Sequence, residues 1–174
     1  TDVGQVILPN GSIQLQELLP HDRRLIFCGG GPSRAHSVCN GLRQIKAEIE
    51  WVAVHDGARP LVSGELIDRT LAAAVAHGAA VPALAVSLTI KQARGPLPAR
   101  VERTIPRESL WAMQTPQIMR RAELLRAFET CTVPLEQVTD DVQLIELAGG
   151  EVWLVAGEER NLKITTAIDL KIAE

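Results

Sequence analysis

The chain has 174 residues and a formal net charge of -3 at pH 7. This length suits a single domain with its own core, and the acidic balance argues against a general nucleic-acid-binding surface, which would need a basic face. No apolar run is long enough to cross a bilayer, and no basic segment followed by an apolar one opens the chain. We therefore expect a soluble protein whose partners include neither a membrane nor a nucleic acid.

The three cysteines, Cys28, Cys39 and Cys131, are odd in number and form no Cys-x-x-Cys pair. This pattern is typical of reduced, buried thiols and not of disulfides or a metal site. It predicts a cytoplasmic location.

The first half of the chain alternates short apolar runs with helical patterns. Strands are predicted at residues 5–8, 25–28, 51–54 and 80–86, and a short helix or extended loop at residues 13–19. Ser33 and Ser63 are placed to cap two helices between these strands, and Gly78 follows the second helix. Such alternation predicts an α/β fold with a doubly wound, mostly parallel sheet that is covered on both faces.

A triple glycine, residues 29–31, separates the second strand from the helix that Ser33 caps. Because glycine has no side chain, this loop lets a ligand approach the backbone closely, as nucleotide-binding loops require. A glycine hinge without any ligand is the alternative interpretation.

The strand at residues 51–54 ends on polar residues, at the edge where open α/β sheets bind ligands. His55, Asp56, Gly57 and Arg59 follow it directly. The Asp56 carboxylate can hold Mg²⁺, which prefers one or two carboxylates together with phosphate oxygens. The forked donors of Arg59 suit a phosphate. The alternative is a simple Asp-Gly turn followed by a solvated arginine.

Residues 87–107 interrupt the alternation. Two strand-like runs, at residues 88–91 and 99–104, flank a tip with glycine and proline at residues 94–98, which predicts a projecting β-arm. An arm with few large apolar side chains is poorly stabilised by itself, so we expect it to pack on a second subunit. A mobile surface loop is the alternative.

Two further helices and two further strands are predicted before the terminal helix. The helices occupy residues 121–129 and the segment that starts at Thr139, and the strands occupy residues 151–155 and 162–165. Thr139 is expected to cap its helix, with Asp140 and Asp141 in the first turn, a role that requires no catalysis. Residues 166–169 match a capping box for the terminal helix.

Six motifs along the chain resemble one family when they are taken together. They are Gly-Gly-x-x-Arg-x-x-Ser-Val-x-x-Gly-Leu (30–42), Val-His-Asp-Gly-Ala-Arg-Pro (54–60), Thr-Ile-Lys (89–91), Leu-Trp-x-x-Gln-Thr-Pro-Gln (110–117), Thr-Asp-Asp (139–141) and Asn-Leu-Lys-Ile-Thr (161–165). The chain is similar to the 2-C-methyl-D-erythritol 4-phosphate cytidylyltransferases of non-mevalonate isoprenoid biosynthesis, from about Val6 to its end. Each motif alone is modest, and six in order are highly specific.

This resemblance implies a fold, a reaction and a partner. The fold is a Rossmann-like three-layer sandwich, with residues 1–174 forming one nucleotidyltransferase domain. The reaction transfers CMP from CTP to 2-C-methyl-D-erythritol 4-phosphate in the presence of Mg²⁺ and releases pyrophosphate and 4-diphosphocytidyl-2-C-methyl-D-erythritol. The partner is a second copy of the chain, bound through the β-arm.

The resemblance also implies roles for individual residues. Asp56 is the expected metal ligand, and Gly31 and Ser37 read the cytosine. The sugar phosphate is expected to contact Gly57, Arg59, Thr139 and Lys163, together with Thr89 and Arg107 from the partner's arm.

Charge repulsion between the two phosphates is the obstacle that the reaction must overcome. We expect Asp56 with its metal, Arg59 and Lys163 to be the catalytic residues, because they offset that repulsion and align the attack on the α-phosphorus. A phosphate monoester is largely ionised near neutral pH and needs no general base. His55 is therefore expected to have a structural role.

Two departures from the family limit this expectation. The glycine-rich loop whose Arg and Lys hold the CTP phosphates is not upstream of Thr1, so we expect the 174-residue chain alone to be nearly inactive and the natural protein to have roughly 40 to 50 more residues. Pro32 stands where the family often has an acidic residue, and proline has no N–H to offer the base.

Two other functions remain open at this point. A cytidylyltransferase acting on ribitol 5-phosphate would share the fold and the metal-binding acid, although residues 89–91 and 110–111 favour the methylerythritol branch. A catalytically silent nucleotide-binding or dimerisation module would also fit the missing loop.

Overall fold

The structure is a computed structural model that describes residues 3–9 and 22–174. The elements in chain order are β1 (Val6–Leu8), β2 (Leu25–Phe27), α1 (Arg34–Leu42), β3 (Trp51–Val54), α2 (Gly64–His77), β4 (Ala79–Ala85), β5 (Ile90–Ala93), β6 (Val101–Ile105), β7 (Trp111–Met113), β8 (Gln117–Arg120), α3 (Arg121–Thr130), a 3₁₀ turn (Leu135–Gln137), α4 (Val142–Leu147), β9 (Trp153–Ala156) and α5 (Ala167–Ala173). The four strands predicted in the first half are confirmed to within a residue or two. The element predicted at residues 13–19 lies outside the described residues.

Side-chain caps fix the start of three helices. Ser33 Oγ accepts a hydrogen bond from the His36 amide at 3.4 Å, and Ser63 Oγ accepts one from Leu66 N at 3.0 Å. Thr166 opens α5 with the predicted capping box. Each cap satisfies an amide that the first helical turn leaves without a partner, so the predicted helix starts are confirmed.

The central five-stranded sheet is mixed, and the expectation of a mostly parallel sheet is wrong. Strand β4 pairs parallel with β9 but antiparallel with β7 and β8, and β8 pairs antiparallel with β3. The reason lies in residues 111–120, where the chain forms two short strands that run back along β4, and the second of them, β8, lies between β3 and β4. A separate parallel pair, β1 with β2, makes a second small sheet.

Helices cover both faces of the central sheet. Residues of α2 pack on one face, where Ala74 contacts a cluster with Ala80 and Ile118. The opposite face carries the larger core, to which α1, α3 and α4 contribute with Leu42, Leu124 and Leu144. Neighbouring residues of β4 and β8 point to opposite faces, as the two-residue repeat of a strand requires. This arrangement gives a three-layered α/β architecture.

The predicted hairpin is present. Strands β5 and β6 pair antiparallel with Ile90 opposite Ile105, and Lys91 Nζ donates to Thr104 Oγ1 at 2.6 Å. Leu88 is 75% exposed and Leu97 is 88% exposed. The use of this arm as a dimer contact stays a prediction.

Two local predictions in the last third of the chain are wrong. Helix α4 begins at Val142, and Thr139 does not cap it, since its N–H and O–H both donate to Gln143 Oε1. Asp140 Oδ1 instead accepts from Gln143 N at 2.9 Å. Residues 162–165 form no strand and lie in a loop, where Ile164 N donates to Ala58 O.

Two expectations drawn from the composition can be compared with the described residues. One concerns the cysteines and the other a membrane-spanning helix. The three cysteines are free, and they are half-buried where burial was expected. Among residues 3–9 and 22–174, no helix combines the length and the apolar character needed to span a membrane.

The fold predicts that two leucines on helices differ strongly in how much their substitution by alanine destabilises the protein. Leu66 in α2 is 0% exposed, whereas Leu147 at the end of α4 is 48% exposed. We expect Leu66→Ala to lower the free energy of unfolding by about 2–5 kcal/mol, because it leaves a cavity, and Leu147→Ala to change it by less than about 1 kcal/mol. Urea denaturation followed by circular dichroism measures both. Equal effects would contradict the packing described for α2.

Candidate active site

A pocket of about 230 Å³ forms where the end of β3 meets the start of α1 and the loop before α5. Its lining is mostly charged or polar and includes Arg34, Asp56, Arg59, Thr139, Asp140 and Lys163. Four of the residues predicted from the sequence, Asp56, Arg59, Thr139 and Lys163, are thus brought together. A second pocket of about 290 Å³, lined by His77, Glu123 and Gly149 among others, shares no residue with it.

The Asp56 carboxylate is surrounded by three cations. Lys163 Nζ lies 3.1 Å and Arg59 Nε 3.5 Å from Asp56 Oδ2, and Arg34 Nε lies 3.7 Å from Oδ1. The carboxylate is only 15% exposed. Burial alone would raise its pKa, but the hydrogen bond and charge of Lys163, followed by the charges of Arg34 and Arg59, outweigh burial and hold the pKa of Asp56 below its ordinary value.

Backbone contacts fix the turn that carries Asp56. Asp56 N donates to Thr115 Oγ1 at 3.0 Å, and Thr115 Oγ1 lies 2.9 Å from His55 Nδ1. His55 Nε2 lies 3.0 Å from the Arg59 carbonyl oxygen, which can only accept, so Nε2 carries the proton and Nδ1 accepts from the Thr115 hydroxyl. His55 therefore supports the turn, as expected from the sequence.

Arg34 and Asp141 form an ion pair that was not predicted for the site. Arg34 Nη2 lies 2.7 Å from Asp141 Oδ2, and the Asp141 side chain is 0% exposed. Burial raises the pKa of Asp141 above its ordinary value, and Arg34 opposes that rise without cancelling it. Arg34 thus lies between two carboxylates, those of Asp56 and Asp141.

Arg59 contacts backbone carbonyls more closely than it contacts Asp56. Its Nη1 donates to Asn161 O at 2.7 Å, its Nη2 lies 3.5 Å from Met113 O, and the side chain is only 12% exposed. Most of the guanidinium therefore supports the loop that carries Lys163, and little of its surface faces the pocket.

The residues predicted to read the cytosine lie at the start of α1. Gly31 N donates to Ser37 Oγ at 2.9 Å, and Ser37 Oγ donates to Ser33 O at 3.1 Å. A Cβ on Gly31 would lie 2.3 Å from His36 Cβ, so only glycine fits here. Neither Gly31 nor Ser37 lines the pocket described above.

The remaining predicted residues also lie outside that pocket. Thr89 and Arg107 belong to the β-arm region, where Arg107 Nη1 donates to Ser87 O. Gly57 follows Asp56 in the turn, and a Cβ there would meet no atom within 4 Å. Within one chain, the arm residues are therefore not part of the site.

Several site residues were missed because sequence periodicity does not reveal buried polar side chains. Three buried polar residues hydrogen-bond to the turn with Asp56 or to the loop with Lys163, and each is at most 5% exposed: Gln114, Thr115 and Asn161. Their signal was present in the quoted motifs at residues 110–117 and 161–165. Arg34 likewise lies within the motif at residues 30–42, which by itself assigned it no role.

The donor set at the pocket suits a hard cation that brings its own further ligands. Asp56 and Asp140 supply carboxylate oxygens to the lining. Within the part of the chain that the structure describes, no cluster of three His, Cys, Asp or Glu residues could enclose a metal by itself. One or two carboxylates completed by phosphate oxygens and water is the arrangement that Mg²⁺ prefers, so the residues fit this ion.

Comparison with known proteins decides the family. The family model described as IspD, 2-C-methyl-D-erythritol 4-phosphate cytidylyltransferase, matches residues 2–174. The chain belongs to this family. The resemblance inferred from the six motifs is thereby confirmed, and members of the family are cytidylyltransferases.

Individual members of the family agree with this assignment. The enzyme of that name from Geobacillus kaustophilus is 46% identical over 145 residues, which cover 83% of this chain and 62% of the relative. The one from Geobacillus thermodenitrificans is 41% identical over 172 residues, covering 97% of this chain and 74% of the relative. The crystal structure of the Thermus thermophilus enzyme superposes with a TM-score of 0.82 at 37% identity, covering 98% of this chain and 79% of that chain. The chain thus spans about two thirds of the length of these curated relatives.

The geometry around Asp56 predicts a measurable change when Lys163 is neutralised. We expect Lys163→Met to raise the pKa of Asp56, because burial is then opposed by fewer charges. Since the folded pKa lies below the ordinary value of 3.8, the ionised carboxylate stabilises the wild-type fold above that pH and ceases to do so as the pH falls through the folded pKa.

Carboxyl ¹³C chemical shifts recorded against pH measure this pKa directly. The matched control is Lys171→Met, at an exposed lysine in α5. An Asp56 pKa that stays the same in Lys163→Met would contradict the ion pair.

The Arg34–Asp141 pair predicts a loss of stability when one partner is removed. We expect Arg34→Met to lower the free energy of unfolding by about 3 kcal/mol, because the buried Asp141 is left uncompensated; this is the low end for a buried pair, since Arg34 is 37% exposed. Arg43→Met, at the exposed end of the same helix, is the control and should have little effect. Urea denaturation gives both values, and adding Asp141→Asn to Arg34→Met should recover part of the loss.

Proposed function

We propose that the protein transfers CMP from CTP to 2-C-methyl-D-erythritol 4-phosphate and releases pyrophosphate. The observation that carries this proposal is the Asp56 carboxylate, which lies in a charged pocket with Arg34, Arg59 and Lys163 within 3.7 Å in a chain of this family. Relatives named for this activity support the substrate pair.

Electrostatics and positioning account for the catalysis in this proposal. The attacking group is a phosphate oxygen of the sugar, and the bond that breaks joins the α- and β-phosphates of CTP. The side chain of Lys163 is 45% exposed, so its ammonium can contact an incoming phosphate while it stays near Asp56. Arg34, which is 37% exposed, adds a second accessible positive charge. Both reduce the repulsion between the two anions.

Mg²⁺ is part of the proposal. Asp56 would hold the ion, with Asp140 as the second carboxylate of the lining. When bound, the ion would neutralise phosphate charge, which is its usual contribution to phosphoryl transfer. The two carboxylates would supply oxygen ligands, and phosphate oxygens and water would complete the set that Mg²⁺ prefers.

The nucleotide base and the partner subunit complete the proposed site. Gly31 and Ser37 would contact the cytosine, while Pro32 between Gly31 and Ser33 offers it no N–H. The exposed β-arm would pack on a second subunit and bring Thr89 and Arg107 to that subunit's sugar phosphate. The high exposure of the arm's apolar residues in the single chain favours this arrangement.

The central role of Asp56 predicts a loss of activity without a loss of fold. In the natural protein with CTP, 2-C-methyl-D-erythritol 4-phosphate and MgCl₂, we expect Asp56→Asn to lower pyrophosphate release by at least about 100-fold, as expected when an electrostatic group at the reacting centre is removed. Glu129→Gln, an exposed carboxylate in α3, is the control and should leave the rate unchanged. Retained turnover in Asp56→Asn would remove Asp56 from the mechanism.

The sugar phosphate is tested by substrate exchange. Pyrophosphate release is measured with 2-C-methyl-D-erythritol 4-phosphate and with ribitol 5-phosphate at equal concentrations. The proposal predicts a higher kcat/KM for the methylerythritol substrate. Faster release with ribitol 5-phosphate would assign the protein to the other reaction, and no release with either would favour a silent binding module.

A further inference from the structure

The loop at residues 157–163, which carries Lys163 to the pocket, is fastened to the sheet by one buried amide side chain. Gln114 is 5% exposed. Its Nε2 donates to Glu158 O at 2.8 Å, and its Oε1 accepts from Glu158 N at 3.1 Å. The two bonds occupy both backbone groups of Glu158, much as a neighbouring strand would. Gln114 thereby fixes both the position and the orientation of the loop.

The Gln114 side chain lies too close to the loop for a residue larger than glycine at position 157. A Cβ on Gly157 would lie 2.6 Å from Gln114 Oε1 and 3.0 Å from Ala83 O. The backbone of Gly157 also donates to Ala83 O at 2.9 Å. The loop therefore leaves β9 in direct contact with the Gln114 side chain.

A second buried amide fastens the far end of the loop, two residues before Lys163. Asn161 is 0% exposed, and its Nδ2 donates to Thr115 O at 2.8 Å. Its backbone carbonyl accepts from Arg59 Nη1 at 2.7 Å and from Gln114 Nε2 at 3.3 Å. The loop is thus held at both ends by the segment Gln114–Thr115.

That segment also holds the turn with Asp56, because Thr115 Oγ1 accepts from Asp56 N at 3.0 Å. The two adjacent residues Gln114 and Thr115 therefore contact both the turn with Asp56 and the loop with Lys163. We propose that Gln114 and Asn161 are positioning residues, whose amides fix the loop so that the Lys163 ammonium stays at the Asp56 carboxylate. Their importance for the reaction rests on the proposed function, whereas their effect on Lys163 does not.

Glu158 offers a competing explanation for the order of the loop. Its carboxylate accepts from Ser63 Oγ at 2.8 Å and lies 3.2 Å from Arg69 Nη2 and 2.9 Å from Arg160 Nε. The Arg69 and Arg160 side chains are 38% and 62% exposed, so solvent screens their pairs with Glu158. Ser63 and Arg69 hold the loop to α2, and Arg160 lies within the loop itself. None of these contacts reaches the turn with Asp56, so they cannot by themselves set the distance from Lys163 to Asp56.

Exchange of an amide for a carboxylate tests the proposal with almost no change of shape. In Asn161→Asp and in Gln114→Glu, an oxygen replaces the donor nitrogen and faces a carbonyl oxygen at 2.8 Å. An ionised carboxylate cannot donate to that carbonyl, and a protonated one restores the bond only by holding the acid neutral, so either form weakens the link and lets the loop shift. The matched control is Glu159→Gln, the reverse exchange at an exposed residue of the same loop.

The measurement is the rate at which an acylating reagent labels Lys163, relative to the exposed Lys171 of the same molecule, by peptide mass spectrometry. An ammonium held at a carboxylate is less accessible to the reagent than a free one. We expect the ratio to rise about twofold to fivefold in Asn161→Asp and in Gln114→Glu, and to stay unchanged in Glu159→Gln. The double variant should show a rise smaller than the product of the two single rises, because Gln114 and Asn161 belong to one hydrogen-bond network in which Gln114 Nε2 also donates to Asn161 O.

Several outcomes separate this proposal from its competitor and from the proposed function. An unchanged labelling ratio in Asn161→Asp and Gln114→Glu, at temperatures below the Tm of each variant, would overturn the proposal. A rise in Glu158→Gln equal to that in Gln114→Glu would also overturn it, in favour of the Glu158 contacts. A rise confined to the two amide variants supports it, even if the natural protein fails to release pyrophosphate. In an active protein, the same variants should lower kcat more than they raise the KM for CTP.

Discussion

The arrangement depends on one carboxylate, Asp56, whose charge is stabilised at the end of β3 by three cations. Burial alone would raise the pKa of this half-buried acid, because burial opposes its charge. Lys163, Arg34 and Arg59 reverse that tendency, and each reaches Asp56 from a different part of the chain: the loop before α5, the start of α1 and the turn after β3 itself. The fold is thus the means by which residues that are distant in sequence meet in one pocket.

Buried polar side chains next to the pocket hold these charged residues in fixed positions. Gln114 and Thr115 bond to the turn with Asp56 and to the loop with Lys163, while Arg34 joins Asp56 to the buried Asp141. A single apolar core could not provide this, since apolar contacts do not fix direction. In the proposed reaction such rigidity has a purpose, because two repelling phosphates must be held in line before the bond to the leaving group can break.

The sequence predicted the elements that depend on adjacent residues. It missed those that depend on contacts with distant parts of the chain. The helix capped by Ser63 and the capping box at Thr166 follow from a few adjacent residues, and both were predicted correctly. The strands at residues 111–120 were missed because their pairing partners, β3 and β4, are distant in the chain. Thr139 was assigned a cap from local pattern, but Asp141 is buried against Arg34, which is distant in sequence, and the helix starts later. Asp56 was predicted from its place at the end of a strand and again by family resemblance, and Lys163 by resemblance alone, whereas Arg34 and Asn161 gave no signal beyond their place in the same motifs.

The most direct test of the account is whether a divalent ion binds at Asp56 together with the nucleotide. Mn²⁺ can replace Mg²⁺ in oxygen-ligand sites, and its paramagnetism broadens the NMR signals of nearby nuclei. In the natural protein with CTP, the account predicts that substoichiometric Mn²⁺ broadens the carboxyl ¹³C signal of Asp56 before those of exposed acids such as Glu129. Selective broadening at other carboxylates, with the Asp56 signal still sharp, would contradict it.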